Sequence, residues 1–294
     1  MFNNRIPLYL GLSFAFAVAC GKQPEEPEKV ERIPINIATT LTRVTDSSYE
    51  AGDAIGLYVV NHTGAANLAH TGNHADNVRF TFSGSTWVAD SPLYWLDGTT
   101  PADFYCYFPF RTPITDVNAV PVSVKADQRG NGYQESELLW GKAARVAPSP
   151  NPVEIVTRHV LSNLLLHIKP GDGFTEASLV ENLTRVTIHS TRIQGILDLS
   201  SGAVTPTGDP SDITPVSTGD ATYRAMMIPQ TLEDASLISL EVGGVTYSLK
   251  QSITFVPNKQ HSCTVTVNRT PDGIQVGIGS WVEYGTDYGG TING

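Results

Sequence analysis

Cysteine is scarce in this chain. Three Cys in 294 residues cannot form the disulfide framework of a stapled scaffold. Charge is sparse as well: charged residues make up 16% of the chain, and 19 Lys plus Arg against 29 Asp plus Glu leave a formal net charge of −10. With that balance and no basic cluster, nucleic acid is excluded as a partner. Sustained helical periodicity is also missing, apart from short stretches near 133–139 and 174–182. What is present is Thr, Val, Ile, 26 Gly and 19 Pro, a composition that favours short strands joined by turns. The length suffices for two domains, each with its own core.

One apolar run stands out, from Ile6 to Ala19 behind Arg5. It is too short to span a bilayer and reads as a secretory signal. It stops at Cys20, and Ala17-Val18-Ala19-Cys20 resembles a bacterial lipobox, in which the Cys is acylated and the peptide is cut just before it. Two or more acyl chains anchor a protein stably where one does not. The expectation is a signal peptide over 1–19 and a lipidated polar tether over 20–32, rich in Pro, Glu and Lys. Glu25, Glu26 and Glu28 resemble an acidic surface-export signal.

Beyond the tether, Ile33, Ile35, Ile37, Thr39 and Leu41 fall on one side at period two, and Pro34, Asn36, Ala38, Thr40 and Thr42 on the other. This pattern predicts a half-buried strand about 33 Å long. Pro34 places it at a sheet edge, where a missing N–H is tolerated. A polar stretch follows, with Arg43 and Val44 at its start, and Gly52-Asp53 then turns the chain into a second strand over 54–59. Burying the apolar side of the first strand is worth roughly 6 to 10 kcal/mol as an upper estimate. That is comparable to the stability of a whole domain.

From Val78 to Lys125 short strand candidates alternate with turns. Eight of the twenty-four residues between Trp87 and Phe110 are aromatic, a density that suits a packed core better than a sugar-stacking platform. The stretch 147–152 carries three Pro and is the candidate linker between residues 33–150 and 151–294. Further strands are expected at 160–168, 184–189, 192–199, 223–228, 236–242, 245–249, 262–267 and 274–282. Gly243-Gly244 is expected as a two-residue hairpin turn. The count and spacing imply an all-β chain of two tandem β-sandwich domains.

Motifs spread along this chain resemble the fimbrillin family, the Bacteroidetes type V pilus subunits, tip proteins and anchors. They are Cys20, Thr42-Arg43, the run from Gly52 to Tyr58, Phe104 to Phe110, Leu138 to Gly141, His159 to Leu164, Ile228-Pro229-Gln230 and the terminal Ile278-Gly279-Ser280-Trp281. The resemblance implies two transthyretin-like sandwich domains and a lipid-anchored precursor at the outer membrane or cell surface. It further implies that an Arg-specific, trypsin-like protease cuts after Arg43, ahead of Val44. The strand carrying Ile33, Ile35, Ile37, Thr39 and Leu41 then leaves, and a segment of another pilus subunit fills the vacated groove. The departing residues 20–43 carry four basic and four acidic groups, so the charge of the body is unaffected by the cut. Partners implied are other subunits of a fimbria and host surface proteins or glycans. A second reading keeps the chain a permanently anchored, monomeric lipoprotein that binds glycans through its aromatics. Ile274, Val276 and Ile278 alternate well enough to serve as a donor strand, although the tail beyond is Gly-rich.

Chemistry is hard to find in the linear pattern. His62, His70 and His74 crowd a loop with Asp76, but Gly72 and Asn73 break any helix that would converge them, so no metal ligand is assigned. Asp209 and Asp212 lack the spacing of a Ca²⁺ loop. No Gly-x-Ser-x-Gly elbow is present, and neither a catalytic residue nor a cofactor is expected. Cys106 and Cys263 lie on apolar faces and read as buried free thiols.

Overall fold

The computed structural model describes residues 32–40, 49–279 and 282–285. From Arg32 onward the described residues form one compact unit, and the fold is all-β. The strands of the first half are β1 (Ile37–Thr40), β2 (Ala54–Asn61), β3 (Ala75–Phe82), β4 (Trp87–Ala89), β5 (Ala102–Phe108), β6 (Val120–Ser123), β7 (Leu139–Val146) and β8 (Val153–His159). Those of the second half are β9 (Ser162–Pro170), β10 (Leu183–Asp198), β11 (Ala203–Ile213), β12 (Val216–Gly219), β13 (Thr222–Met227), β14 (Gln230–Val242), β15 (Val245–Phe255), β16 (Lys259–Thr270), β17 (Gly273–Ile278) and β18 (Val282–Gly285). Two short helices, α1 (Gly132–Glu135) and α2 (Glu176–Asn182), fall where helical stretches were expected.

The first sheet has the order β1-β8-β7-β5-β2-β3-β4. Its centre is buried on both faces: every residue of β5 is buried, and so are six of the eight in β2. Ile55, Leu57, Phe104, Cys106, Leu139 and Ile155 pack on one side around Trp95. On the other, Tyr58, Tyr105, Tyr107 and Trp140 join a larger cluster built mainly from the second half. A strand buried on both faces reads as a continuous apolar run, which accounts for the aromatic density of 104–108. Gly56 is required here, because a side chain on it would collide with the Tyr107 ring lying across it. The Tyr107 hydroxyl donates to Asn77 Oδ1 at 2.7 Å.

Two further sheets make up the second half, one ordered β11-β10-β14-β15 with β6 also on β10, the other β12-β13-β9-β16-β17 with β18 also on β16. The halves are stitched together: β6 pairs with β10, and the buried Gln128 side chain bonds both to the amide of Met226 and to its carbonyl. Gly243 and Gly244, at φ 59° and 79°, form the expected turn between β14 and β15, since both positions require the left-handed region.

The Pro-rich stretch 147–152 does not separate two domains. It connects β7 to β8, which are antiparallel neighbours in the first sheet with Leu139 opposite His159. The chain passes to the other sheets at Val160 and Leu161, both buried, one strand later than the expected 150/151 boundary. Proline marks a turn equally well inside a sheet and between domains. The strands expected at 184–189 and 192–199 are one strand, β10, interrupted by a bulge between Ile188 and Thr191.

Candidate functional site

The site is built on the first described segment, residues 32–40. Pro34 forms an antiparallel bridge to Tyr94. The Ile35 amide donates to the Leu93 carbonyl at 2.8 Å, and the Trp95 amide to the Ile33 carbonyl at 2.9 Å. The chain then changes partner. The Val153 amide donates to Asn36 O at 2.8 Å, and Ile37 to Thr40 pair in parallel with Val153 to Val156. This short segment therefore contacts both ends of the first sheet: β8 at one end of the order and the stretch just past β4 at the other. Trp87, on β4, completes the closure by donating from Nε1 to Thr39 Oγ1 at 2.7 Å.

The expected alternation is seen from Ile33 to Ile37 and fades beyond, where Ala38 and Thr39 are both half-buried. Ile35 and Ile37 are 5% and 6% exposed, Ile33 and Thr39 are half-buried, and Pro34, Asn36 and Thr40 face outward. Ile35 and Ile37 sit in the same cluster as Ile55, Phe104 and Ile155, so the segment supplies part of that core. The missing N–H of Pro34 leaves no ladder position empty, because its antiparallel bridge to Tyr94 is made through the flanking amides. Leu41, Arg43, Val44 and Cys20 lie outside the described residues.

The aromatics between Trp87 and Phe110 are chiefly interior. Trp95 meets Phe104 edge-on at 5.4 Å, Tyr49 meets Trp87 edge-on at 4.8 Å, and Trp95, Phe104, Tyr105, Tyr107 and Phe108 are all buried. Tyr94 is the most open aromatic among the buried and exposed residues of that stretch, at 36%.

At the other end of the chain, β17 lies antiparallel on β16, with Ile278 opposite Val265 and Ile274 opposite Arg269. The amide of Gly279 donates to the Thr264 carbonyl, and β18 continues along Lys259 to Ser262. Ile274, Val276 and Ile278 are half-buried against the larger cluster, whereas Gly273, Gln275 and Gly277 are exposed. The two segments singled out in the sequence therefore sit in different cores: the first strand closes the smaller cluster and Ile274–Ile278 flank the larger.

One polar centre escaped the sequence reading. Asp103, within the buried β5, is 5% exposed. Its carboxylate accepts from His62 Nε2 at 2.7 Å and from the Arg145 amide at 2.7 Å, and pairs with Lys142 Nζ at 3.1 Å. Burial alone would raise its pKa, but the hydrogen bonds from His62, Arg145 and Lys142 outweigh it and hold the carboxyl below its ordinary value. The signal available was a single Asp inside an apolar run, which calls for buried partners. His74 instead bonds to Tyr94 O at 2.6 Å, and among the described residues no three His, Cys, Asp or Glu side chains gather as a metal site. Cys106 and Cys263 are buried and free, and burial pushes each thiol up to about 12.

A sequence model described as fimbrillin-like matches residues 42–281. The chain belongs to the fimbrillin-like family. A candidate fimbrium subunit of Bacteroides uniformis, Fim1C, is 25% identical over 256 residues, 82% of this chain and 81% of that one. The crystal structure of a candidate cell-adhesion protein from Bacteroides uniformis superposes with a TM-score of 0.66 at 22% identity, covering 87% of this chain and 99% of that one. The tip fimbrial protein Mfa3 of Porphyromonas gingivalis, with a C-terminal truncation, gives a TM-score of 0.51 at 11% identity, covering 85% and 99%. At these identities the solved structures share the fold. The fimbrillin-like match starts just past the β1 segment and takes in all of β17.

Proposed function

We propose that this chain is the exported lipoprotein precursor of a fimbrial subunit, anchored through Cys20, that assembles at the cell surface by β-strand exchange. On this reading an Arg-specific, trypsin-like protease cuts between Arg43 and Val44, and residues 33–42 leave with the anchor. The body is two transthyretin-like β-sandwich halves that divide at Val160–Leu161. Its role is structural and adhesive.

The observation that carries the reading is the way Ile35 and Ile37 complete a core while their backbone bridges Leu93–Trp95 to β8. Losing such a strand leaves an apolar slot flanked by unpaired backbone groups, which is the recognition chemistry of β-augmentation. An extended segment from a second copy, with Ile274, Val276 and Ile278 as its apolar side, has the alternation to fill it. The buried state of most aromatics of 87–110 speaks against the alternative of a glycan-binding monomer.

The test compares the full precursor with a chain that starts at Val44. Ladders that resist SDS are expected only from the shortened chain, and N-terminal sequencing of shed protein is expected to begin at Val44. A shed protein that begins only at Cys20, with no ladder from the shortened chain, overturns the proposal.

A further inference from the structure

The outer face of the β11-β10-β14-β15 sheet carries an arrangement apart from the strands of the proposed exchange. His189 sits at the bulge of β10. Its Nδ1 lies 2.8 Å from Asp212 Oδ1 on β11, and its Nε2 lies 2.7 Å from Ser239 Oγ on β14. Because a carboxylate only accepts, the ring proton belongs on Nδ1 toward Asp212, and the Nε2 lone pair then accepts the Ser239 hydroxyl. This is the hydrogen-bond order of a serine nucleophile, its base and the orienter of that base. The bulge is what permits it: Ile188 pairs with Ile213 and Thr191 with Ser211, so two residues of β10 face one of β11. Ser190 beside His189 adopts φ 60°, a strained conformation of the kind concentrated at functional sites.

From this geometry we infer that Ser239, His189 and Asp212 form an acyl-transfer site for carboxylic esters with a short acyl group on a polar alcohol. Two adjoining hollows of about 440 and 330 Å³ meet at His189, Asp212 and Ser248. The smaller holds Ser239 and is lined only by polar residues, Thr187, Thr246, Arg185 and Glu241 among them. It has no apolar slot for a long acyl chain, and its hydroxyls suit a hydroxylated leaving group. Ser239 is 9% exposed, with its neighbours Thr187 and Ser248 directly across the ladder. Arg185 occupies the diagonal position opposite to His189, paired with Glu241 at 2.6 Å. Arg185 thus lines the same hollow as Ser239, with its guanidinium held by Glu241.

The reaction balances without a cofactor. Ser239 Oγ bonds to the ester carbonyl carbon while its proton passes to His189 Nε2. The carbon–oxygen bond to the alcohol breaks, and the alcohol oxygen takes that proton. A water then attacks the acyl-serine, giving its proton to Nε2 and releasing the carboxylic acid as Oγ regains a proton.

The experiment treats the full chain with a fluorophosphonate probe and, separately, follows hydrolysis of p-nitrophenyl acetate. Tandem mass spectrometry is expected to place the probe on Ser239. Ser239→Ala is expected to lower hydrolysis by at least about 100-fold, and His189→Gln to slow labelling at least about 10-fold. Thermal unfolding of both variants within a few degrees of the unaltered chain separates lost chemistry from lost fold. Absence of label from Ser239, or a Ser239→Ala chain that hydrolyses as fast as the original, overturns the assignment.

Discussion

The segment around β1 and the strand β17 both lie at sheet edges, yet they are held in opposite ways. The first is joined to partners far along the sequence, Leu93–Trp95 and Val153–Val156, and buries Ile35 and Ile37. The second is the outer arm of a hairpin with β16, closed by the turn after Thr270, and its apolar side chains are half-buried. If the hairpin arm leaves, its partner strand β16 stays paired on its other edge with β9. When the bridging strand goes, two edges separate. Under the proposed strand exchange, the first segment is the plug and the second the donor arm.

Five substitutions test the two segments and the core beside them. Ile37→Asp places a carboxylate in the closed cluster and is expected to destabilise the full chain by about 4 kcal/mol, read as a lower urea midpoint. If the cost is under about 1 kcal/mol, the segment is not a plug. Asp103→Asn is expected to cost about 2 kcal/mol near neutral pH, because three donors lose a charged acceptor. The Asp103 carboxyl is held below its ordinary range in the fold. Its contribution is therefore complete above the unfolded carboxyl's pKa, near pH 4, and fades as pH falls through the lower folded value. Urea titrations of both chains should therefore converge on acidification and stay apart above about pH 5. Thr39→Val removes the acceptor for Trp87 and should cost about 1 kcal/mol in thermal unfolding. Smallest of all, Val276→Ala on the half-buried arm should cost less than about 1 kcal/mol. A Val276 cost equal to that of Ile37→Ala, expected at about 2–4 kcal/mol, would erase the distinction.

Much of this was legible in the residues. Period-two alternation matches the burial of 33–37, and paired glycines marked the β14–β15 turn, since both signals are local. The sequence reading failed where partners were distant. Nothing near 147–152 says that β7 and β8 pair across it. Strand β11 was passed over because Pro206 and Pro210 interrupt its pattern; as the edge of its sheet it tolerates them. Asp103 and the His189 centre each draw on side chains at least 23 residues away, so no linear motif could announce them. The register of the β10 bulge decides whether His189 faces Asp212, and a bulge leaves only a weak trace in sequence.

The parallel pairing of β1 with β8 has a mechanical consequence. A pull along the axis of a strand seated in that slot loads its bonds to Leu93–Trp95 and to β8 together, so they must fail in shear. A pull on residue 285 opens the β18 and then the β17 ladder along β16 one pair at a time. Stretched from residue 32, the chain should therefore hold to higher force in single-molecule extension than when stretched from residue 285, and whatever strand occupies the slot inherits that grip.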